Sequence, residues 1–163
     1  MTHRKNAHCS YCGTAFGEGK FPKRCAACAQ TTWLNPTPVA VLIVPVGTGV
    51  MTIRRGIPPH VGQLALPGGF VEVGETWQEA GAREVREEAQ ANIDPAGVRD
   101  LAAMSPPDGG VLLVFGVARP LALEALSTFQ PTSETTERVV VEEPVELAFP
   151  LHTEALRLYF RNR

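Results

Sequence analysis

Nothing in this chain of 163 residues is long, apolar and uninterrupted: no run approaches the ~18 residues that a membrane-crossing helix requires. Charge of one sign is also missing. The net charge is −2 with histidine neutral, so no global field draws the chain to nucleic acid or to an anionic membrane. Aromatic residues make up only 7%, which leaves few surfaces for stacking. The basic start, Met1 to Asn6, leads into Cys9-Ser-Tyr-Cys12 and not into an apolar signal core, so a cytoplasmic protein is expected. Cysteine does not occur after Cys28. What is present, 44% hydrophobic and 20% charged residues, suits a globular domain able to bury a core. The length fits one main domain and a small module, expected at residues 33–163 and 1–32.

The four cysteines stand as Cys9-x2-Cys12 and Cys25-x2-Cys28. Two such knuckles at this separation read as a Cys₄ zinc ribbon, with Zn²⁺ in a tetrahedral and therefore closed, structural site. A module of ~30 residues is too short to stabilise itself by burial, which makes a structural ion physically reasonable. Paired disulfides and a redox Cys-x-x-Cys are the alternatives, though nothing indicates an oxidising compartment. His3 and His8 lie beside an already complete ligand set. Lys20, Lys23 and Arg24 make the loop between the knuckles basic, but only Tyr11, Phe16 and Phe21 are placed to stack on bases. The module is better read as a brace than as a nucleic-acid adaptor.

Downstream of a Pro-punctuated connector, Val39 to Val46 is a continuous apolar run, as in a buried strand. Gly47-Thr48-Gly49 turns the chain into a second arm, Val50 to Arg55. Arg54 and Arg55 either meet substrate phosphates or stand as strand-end charges. Gly56 to Gln63 is a loop in which His60 is a surface residue. Phe70-Val71-Glu72-Val73 alternates like a half-buried strand, Gly74 breaks it, and Glu75-Thr76 open a helix beginning at Trp77. Further strands are expected at 101–104, 111–118 and 138–141, and a last helix at about 152–160.

Along the helix, Glu84, Glu87 and Glu88 fall within an arc of roughly 100°. Three carboxylates on one edge repel one another, and a divalent cation relieves that repulsion; Mg²⁺ accepts a few carboxylates together with phosphate oxygens of a substrate. An ordinary solvated acidic face, with Arg83 paired to Glu87, is the alternative.

Spacing favours the cation. Gly69, five residues, Glu75, seven residues, then Arg83-Glu84-Val85-x-Glu87-Glu88 resembles the Nudix box, G-x5-E-x7-R-E-U-x-E-E-x-G-U. Gln90 stands where that pattern has glycine, and Ala91 where it has an aliphatic residue. Since Gln90 is strained in a left-handed cap, the helix is expected to continue past it, with Asn92 taking that role.

The resemblance implies an α/β fold, a Nudix-type α/β/α sandwich with a mixed sheet, here preceded by the small Cys₄ ribbon. It implies a Mg²⁺- (or Mn²⁺-) dependent hydrolase in which Glu84, Glu87 and Glu88, with the carbonyl of Gly68, hold the metal. Glu75 and Arg83 would tie the loop to the helix. Glu134, with Glu137 second, would be the late-loop carboxylate acting as base or extra ligand; the alternative for both is solvated loop charge. The ribbon, the Trp33-x-Asn-Pro connector and Leu147-Ala-Phe-Pro150 are similar to a subgroup hydrolysing FAD and ADP-ribose. NADH pyrophosphatases carry S-Q-P-W-P-F-P after the box, which Met104-Ser-Pro-Pro107 does not reproduce. A non-catalytic ligand sensor of the same fold is a further alternative. Homodimers are common in the resembled family. Trp33, Trp77 and Phe115 are candidate walls for the organic part of a substrate, although each is read first as core.

Overall fold

The computed structural model describes residues 5–163, so His3 lies outside the described residues. The chain divides into two compact units, Met1–Pro36 and Thr37–Arg163. In the first, the short strands β1 (Lys23–Arg24) and β2 (Thr31–Thr32) pair antiparallel. Two knuckle turns repeat one pattern. Cys9 N–H donates to Thr14 O at 2.8 Å and Gly13 N–H to Cys9 O at 3.0 Å, and the same pair recurs as Cys25 to Gln30 and Ala29 to Cys25. Gly13 and Ala29, at equivalent places, both have positive φ.

The second unit is built on β3 (Thr37–Val46), the apolar run anticipated from sequence. It continues through β4 (Gly49–Arg55), β5 (Leu64–Ala65), β6 (Gly68–Phe70), α1 (Trp77–Ala89), β7 (Arg99–Met104), β8 (Val111–Val117), β9 (Thr135–Val141) and α2 (Pro150–Arg161). The strands form one seven-stranded sheet. β3 and β8 are parallel, from Thr37 opposite Val111 to Ile43 opposite Val117, while the other pairings are antiparallel, so the sheet is mixed. β3 changes partner along its length. Its C-terminal end pairs with β4 and its N-terminal half with β6, which brings the glycine turn beside the central strand.

Alternation along β3 sorts the core into two layers. Leu42, Val44 and Val46 join Val85 and Ala89 of α1, while Val41 and Ile43 join Phe115, Ala155 and Leu156 on the α2 side. The sandwich therefore has one helix on each face. Gly81 lets α1 lie close, since a Cβ there would come within 2.7 Å of the Leu42 side chain. No helix of the described residues is long and apolar enough to cross a membrane.

Three local expectations need correction. The alternating run past Phe70 is not a strand: β6 ends at Phe70, and Val73 is fully exposed. Side chains take its backbone groups instead, Arg83 donating to Phe70 O and Glu75 accepting from Glu72 N–H. Trp33 is not core but 64% exposed. Helix α1 does not run past Gln90; Gln90 itself caps it at φ 52°, ψ 41°.

The reason for that cap lies in its side chain. Gln90 Nε2 donates to Gln130 O at 2.6 Å, and its Oε1 accepts from Gln130 N–H at 2.9 Å. Arg138 Nη1 adds a bond to Ala89 O at 2.8 Å. These contacts offset a left-handed conformation that costs roughly 1–2 kcal/mol in a non-glycine residue. Gln90→Gly is therefore expected to leave stability within about 1 kcal/mol, strain relief balancing two lost bonds. The Gln130 amide should then exchange with solvent roughly tenfold faster. Unchanged Gln130 exchange would mean that the side-chain pair carries no weight.

Candidate active site

The helix start is fixed locally. Thr76 caps α1, its hydroxyl accepting from Glu79 N–H while the Glu79 carboxylate accepts from Thr76 N–H, a reciprocal capping box. Glu75 just before it accepts from Arg83 through both oxygens, at 2.9 and 3.3 Å. Arg83 also donates to Glu84 at 2.7 Å and to Glu87 at 3.4 Å. One guanidinium thus ties the loop to the helix and neutralises part of the acidic face. The Glu75 carboxyl is held below its ordinary range by the Arg83 hydrogen bonds. The Arg83–Glu87 pair and the Glu75–Arg83 tie coexist, because five N–H donors serve several acceptors.

Glu84, Glu87, Glu88 and Glu134 line one cleft of about 310 Å³ together with Thr132 and Ser133. Burial raises the Glu88 carboxyl to about 7; the Gly68 N–H, donating to Glu88 Oε2 at 2.9 Å, opposes this, and the neighbouring Glu84 adds to it. Glu84 is raised too, since its burial outweighs the help from Arg83. Gly69 makes that position possible, as a Cβ there would fall 2.3 Å from the Glu84 carboxylate. Two partly buried acids, of which Arg83 pairs with Glu84 alone, form a hard-oxygen donor set that suits a cation. Glu134 directly precedes β9 and faces this set, while Glu137, on the strand, is paired with Arg54 at 2.7 Å and does not line the cleft.

The two arginines part company because neighbours on a strand point to opposite faces. Arg54 is committed to Glu137 and to Gly62 O. Arg55 donates to Pro59 O at 2.8 Å and lies over the Phe149 ring at 5.0 Å. It borders a second cavity of about 500 Å³ whose apolar floor includes Val39, Val41, Leu66 and Leu113. Glu88 and Gly68 form part of its wall, so Glu88 stands between the acidic cleft and the apolar cavity.

Phe149 and His152 line that cavity; Phe149 lies in the Leu147–Pro150 segment singled out by resemblance, whereas His152 had no expected role. Ala148 N–H donates to Leu64 O of β5 at 2.7 Å, and Leu147 N–H donates to the Thr153 hydroxyl at 2.9 Å. These bonds pin the entry to α2, where Pro150 occupies the first turn. The available signal was the aromatic residue before that proline. Of the aromatic walls anticipated, Phe115 is fully buried and Trp77 packs on the α1 core.

In the first unit the thiols of Cys9, Cys12, Cys25 and Cys28 lie within 4.8 Å of one another, a group that could hold a metal ion. Contacts cross between knuckles, Cys9 Sγ to Cys28 Sγ at 3.7 Å and Cys12 Sγ to Cys25 Sγ at 3.6 Å. The backbone N–H of Tyr11 holds the Cys9 thiol down to about 6. Among the described residues the acidic set is looser than this one, lining a common cleft without meeting at one point.

Residues 36–154 match the NUDIX domain family. A stretch of 76 residues is 38% identical to an ADP-ribose pyrophosphatase of Methanocaldococcus jannaschii, covering 47% of this chain and 44% of that protein. Over 95 residues the chain is 32% identical to the NAD-capped RNA hydrolase NudC of Deinococcus radiodurans, covering 55% and 34%. The chain thus matches less than half the length of these curated relatives. A NUDIX hydrolase from Nitrosomonas europaea superposes with a TM-score of 0.73 at 27% identity, covering 96% of this chain and 91% of that one. The NUDIX domain of Shewanella oneidensis NrtR complexed with ADP ribose, 14% identical with a TM-score of 0.61, covers 78% of this chain and 88% of that one and shares the fold. With the family match spanning most of its length, the Glu75–Arg83 tie in place and the carboxylates of one helix edge in one cleft, the chain belongs to the Nudix family.

Proposed function

We propose that this chain is a Mg²⁺- or Mn²⁺-dependent hydrolase of the pyrophosphate bond in a nucleoside diphosphate linked to another moiety, with ADP-ribose or FAD as the preferred substrates. The observation that carries this reading is the position of Glu88, shared by the acidic cleft and the apolar cavity. A molecule with a charged diphosphate in the middle and an organic group at its end matches that pair of surfaces.

Glu84, Glu87 and Glu88 would hold the divalent cation with the Gly68 carbonyl, and the cation would supply charge neutralisation and an activated water. The protein's own groups do the rest. Arg83 fixes the loop and the helix face, which sets the spacing of the carboxylates. Glu134, exposed and lining the same cleft, would take the proton of the attacking water. Arg55, which lines the cavity together with Glu88, would meet a phosphate oxygen, and the Arg54–Glu137 ion pair supports a smaller part for Arg54.

Four thiolates bind Zn²⁺ at about 2.3 Å, which sets sulfurs about 3.8 Å apart in a tetrahedron. The cross-knuckle distances of 3.6 and 3.7 Å support a structural zinc on Cys9, Cys12, Cys25 and Cys28. Similarity to NAD-capped RNA hydrolases supports a second reading, in which an NAD-type conjugate is the substrate.

Hydrolysis of ADP-ribose, FAD, NADH and nucleoside triphosphates at equal concentration with Mg²⁺, followed by phosphate release from a coupled phosphatase, tests the proposal. ADP-ribose or FAD should be cleaved fastest, by roughly tenfold or more over triphosphates. Preference for triphosphates would overturn the substrate class, and preference for NADH would favour the second reading.

A further inference from the structure

Gln90 takes a left-handed backbone at the end of α1, at φ 52°, which glycine would adopt without strain. A strained residue that persists points to a task for its side chain. That side chain does not serve the helix. Its amide pairs with both backbone groups of Gln130, Nε2 donating to the carbonyl at 2.6 Å and Oε1 accepting from the N–H at 2.9 Å. The Gln90 carbonyl also accepts from the Ser127 hydroxyl at 3.3 Å. Arg138, from β9, donates through Nη1 to the Ala89 carbonyl at 2.8 Å and through Nη2 to the Ser127 carbonyl. Its guanidinium lies 5.6 Å from the centre of the Phe129 ring. The last turn of α1 is thereby joined to a segment far away in sequence.

That segment carries Glu134. It runs from Leu126, which packs on the core, to the start of β9 at Thr135, and residues 130–134 are exposed. An exposed stretch of this kind is ordinarily mobile. Here its far end is pinned to the sheet. The Thr132 hydroxyl accepts from the N–H groups of Glu134 and Thr135, and Gly56 N–H donates to Glu134 O at 2.7 Å. Pro131 fixes one backbone angle and restricts Gln130 before it, so the tie at Gln130 is transmitted through few free rotations. The segment is held on both sides, to the sheet through Gly56 and to the acidic helix through Gln90. Charge works against that arrangement. Glu134 lines one cleft with Glu84, Glu87 and Glu88, and its charge disfavours ionisation of Glu84 and Glu88. Without a cation the carboxylates push loop and helix apart, and the uncharged Gln90–Gln130 pair holds them together.

We propose that Gln90 is a positioning residue: its side-chain amide clamps the Glu134 loop to the acidic helix and sets the cleft before cation and substrate arrive. The consequence for turnover rests on the hydrolase reading, in which Glu134 takes the proton of the attacking water. The clamp itself is measurable without turnover.

Gln90→Gly should keep the helix cap and removes both bonds to Gln130, so it tests the clamp in a folded protein. Steady-state kinetics with ADP-ribose and FAD are compared for the wild type, Gln90→Gly, Glu134→Gln and the double variant. Backbone ¹⁵N relaxation is recorded for the wild type and Gln90→Gly. In Gln90→Gly kcat should fall about tenfold with KM within about threefold, since placement of the base is lost and not binding. In the Glu134→Gln background the same substitution should cost less than about twofold, because the group it positions is gone. A general loss of stability would act equally in both backgrounds. The order parameters of Gln130, Thr132 and Ser133 should drop from about 0.85 to below about 0.6. Gln90→Asn, also tolerated in a left-handed cap but one methylene too short to hold both Gln130 groups, should lose kcat in the same direction. It stands in for the glycine variant should that one not fold. Unchanged kcat, an equal loss in both backgrounds, or unmoved order parameters would each overturn the clamp. Normal turnover in Glu134→Gln would overturn it too, while leaving the hydrolase class intact. Should none of the conjugates be cleaved, the hydrolase reading fails and relaxation alone decides: lowered order parameters uphold the clamp and unchanged ones refute it.

Discussion

Glu88→Gln is expected to lower turnover of the preferred conjugate by roughly a hundred- to a thousandfold, in the range of losing one group that stabilises developing charge, while the fold survives. The amide keeps the shape and can still accept from the Gly68 N–H, the bond that Glu88 makes at 2.9 Å. What disappears is a negative charge at the junction of the acidic cleft and the apolar cavity. Glu84→Gln should act in the same direction. Near-normal turnover in both variants would remove this helix face from the chemistry.

The same substitution carries a stability signature. In the metal-free protein the Glu88 carboxyl rises from 4.5 to about 7, chiefly by burial. A raised acid binds its proton more tightly when folded, so its contribution is fully present below about pH 4.5 and is lost as pH rises through about 7. The wild type should therefore lose on the order of 3 kcal/mol across that window without metal, at about 1.4 kcal/mol per tenfold change in proton affinity. Glu88→Gln, with nothing to ionise, should lack that component of the decline. Mg²⁺ affinity should climb over the same interval, since the metal requires the ionised form. Parallel urea unfolding at pH 5 and pH 8 separates the two proteins. Identical pH slopes would mean that Glu88 is not desolvated as its position implies.

The acidic helix was legible in the chain because its groups are close in sequence. Gly69, Glu75, Arg83 and Glu84 lie within one loop and two turns of helix, so fixed spacing translates directly into the Glu75–Arg83 tie and the space over Gly69. The two-layer core was also readable, since β3 is an unbroken apolar run that alternates its neighbours. The second cavity was not. It joins Arg55, Glu88 and the segment from Phe149 to His152, brought together by the Ala148–Leu64 backbone bond and by the sheet, and no local pattern announces such a meeting. Gln90 misled for a related reason. Its propensity argues against a left-handed cap, yet both ends of its side chain are bonded to a residue forty positions away. Phe70 to Val73 shows the limit of alternation, because Arg83 and Glu75 claim the backbone groups that a strand would have paired.

Chelation should separate the two units. Removing zinc from the four thiols is expected to unfold Met1–Pro36, whose strands are two residues each and in which, among the described residues, Cys9, Cys25 and Thr32 alone are less than one-tenth exposed. Apparent binding energies of roughly 10–16 kcal/mol are typical of such sites and are folding energy at the same time, so no comparable stabilisation remains once the metal is gone. The Thr37–Arg163 unit contains both apolar layers and is expected to keep its sheet without the zinc. Freshly purified protein should contain one zinc per chain, with the four thiols unreactive toward a thiol reagent until a strong chelator is added. After chelation the amides of Cys9 to Thr32 should exchange freely, while those of β3 and β8 remain protected. Cys25→Ser should reproduce that pattern without chelator, because Cys25 is buried and its Sγ is 3.6 Å from that of Cys12. Protein purified without zinc, its thiols oxidised in pairs, would establish a disulfide-linked module in place of a metal ribbon. Loss of protection in β3 on chelation would show that the main sheet depends on the ribbon for its stability.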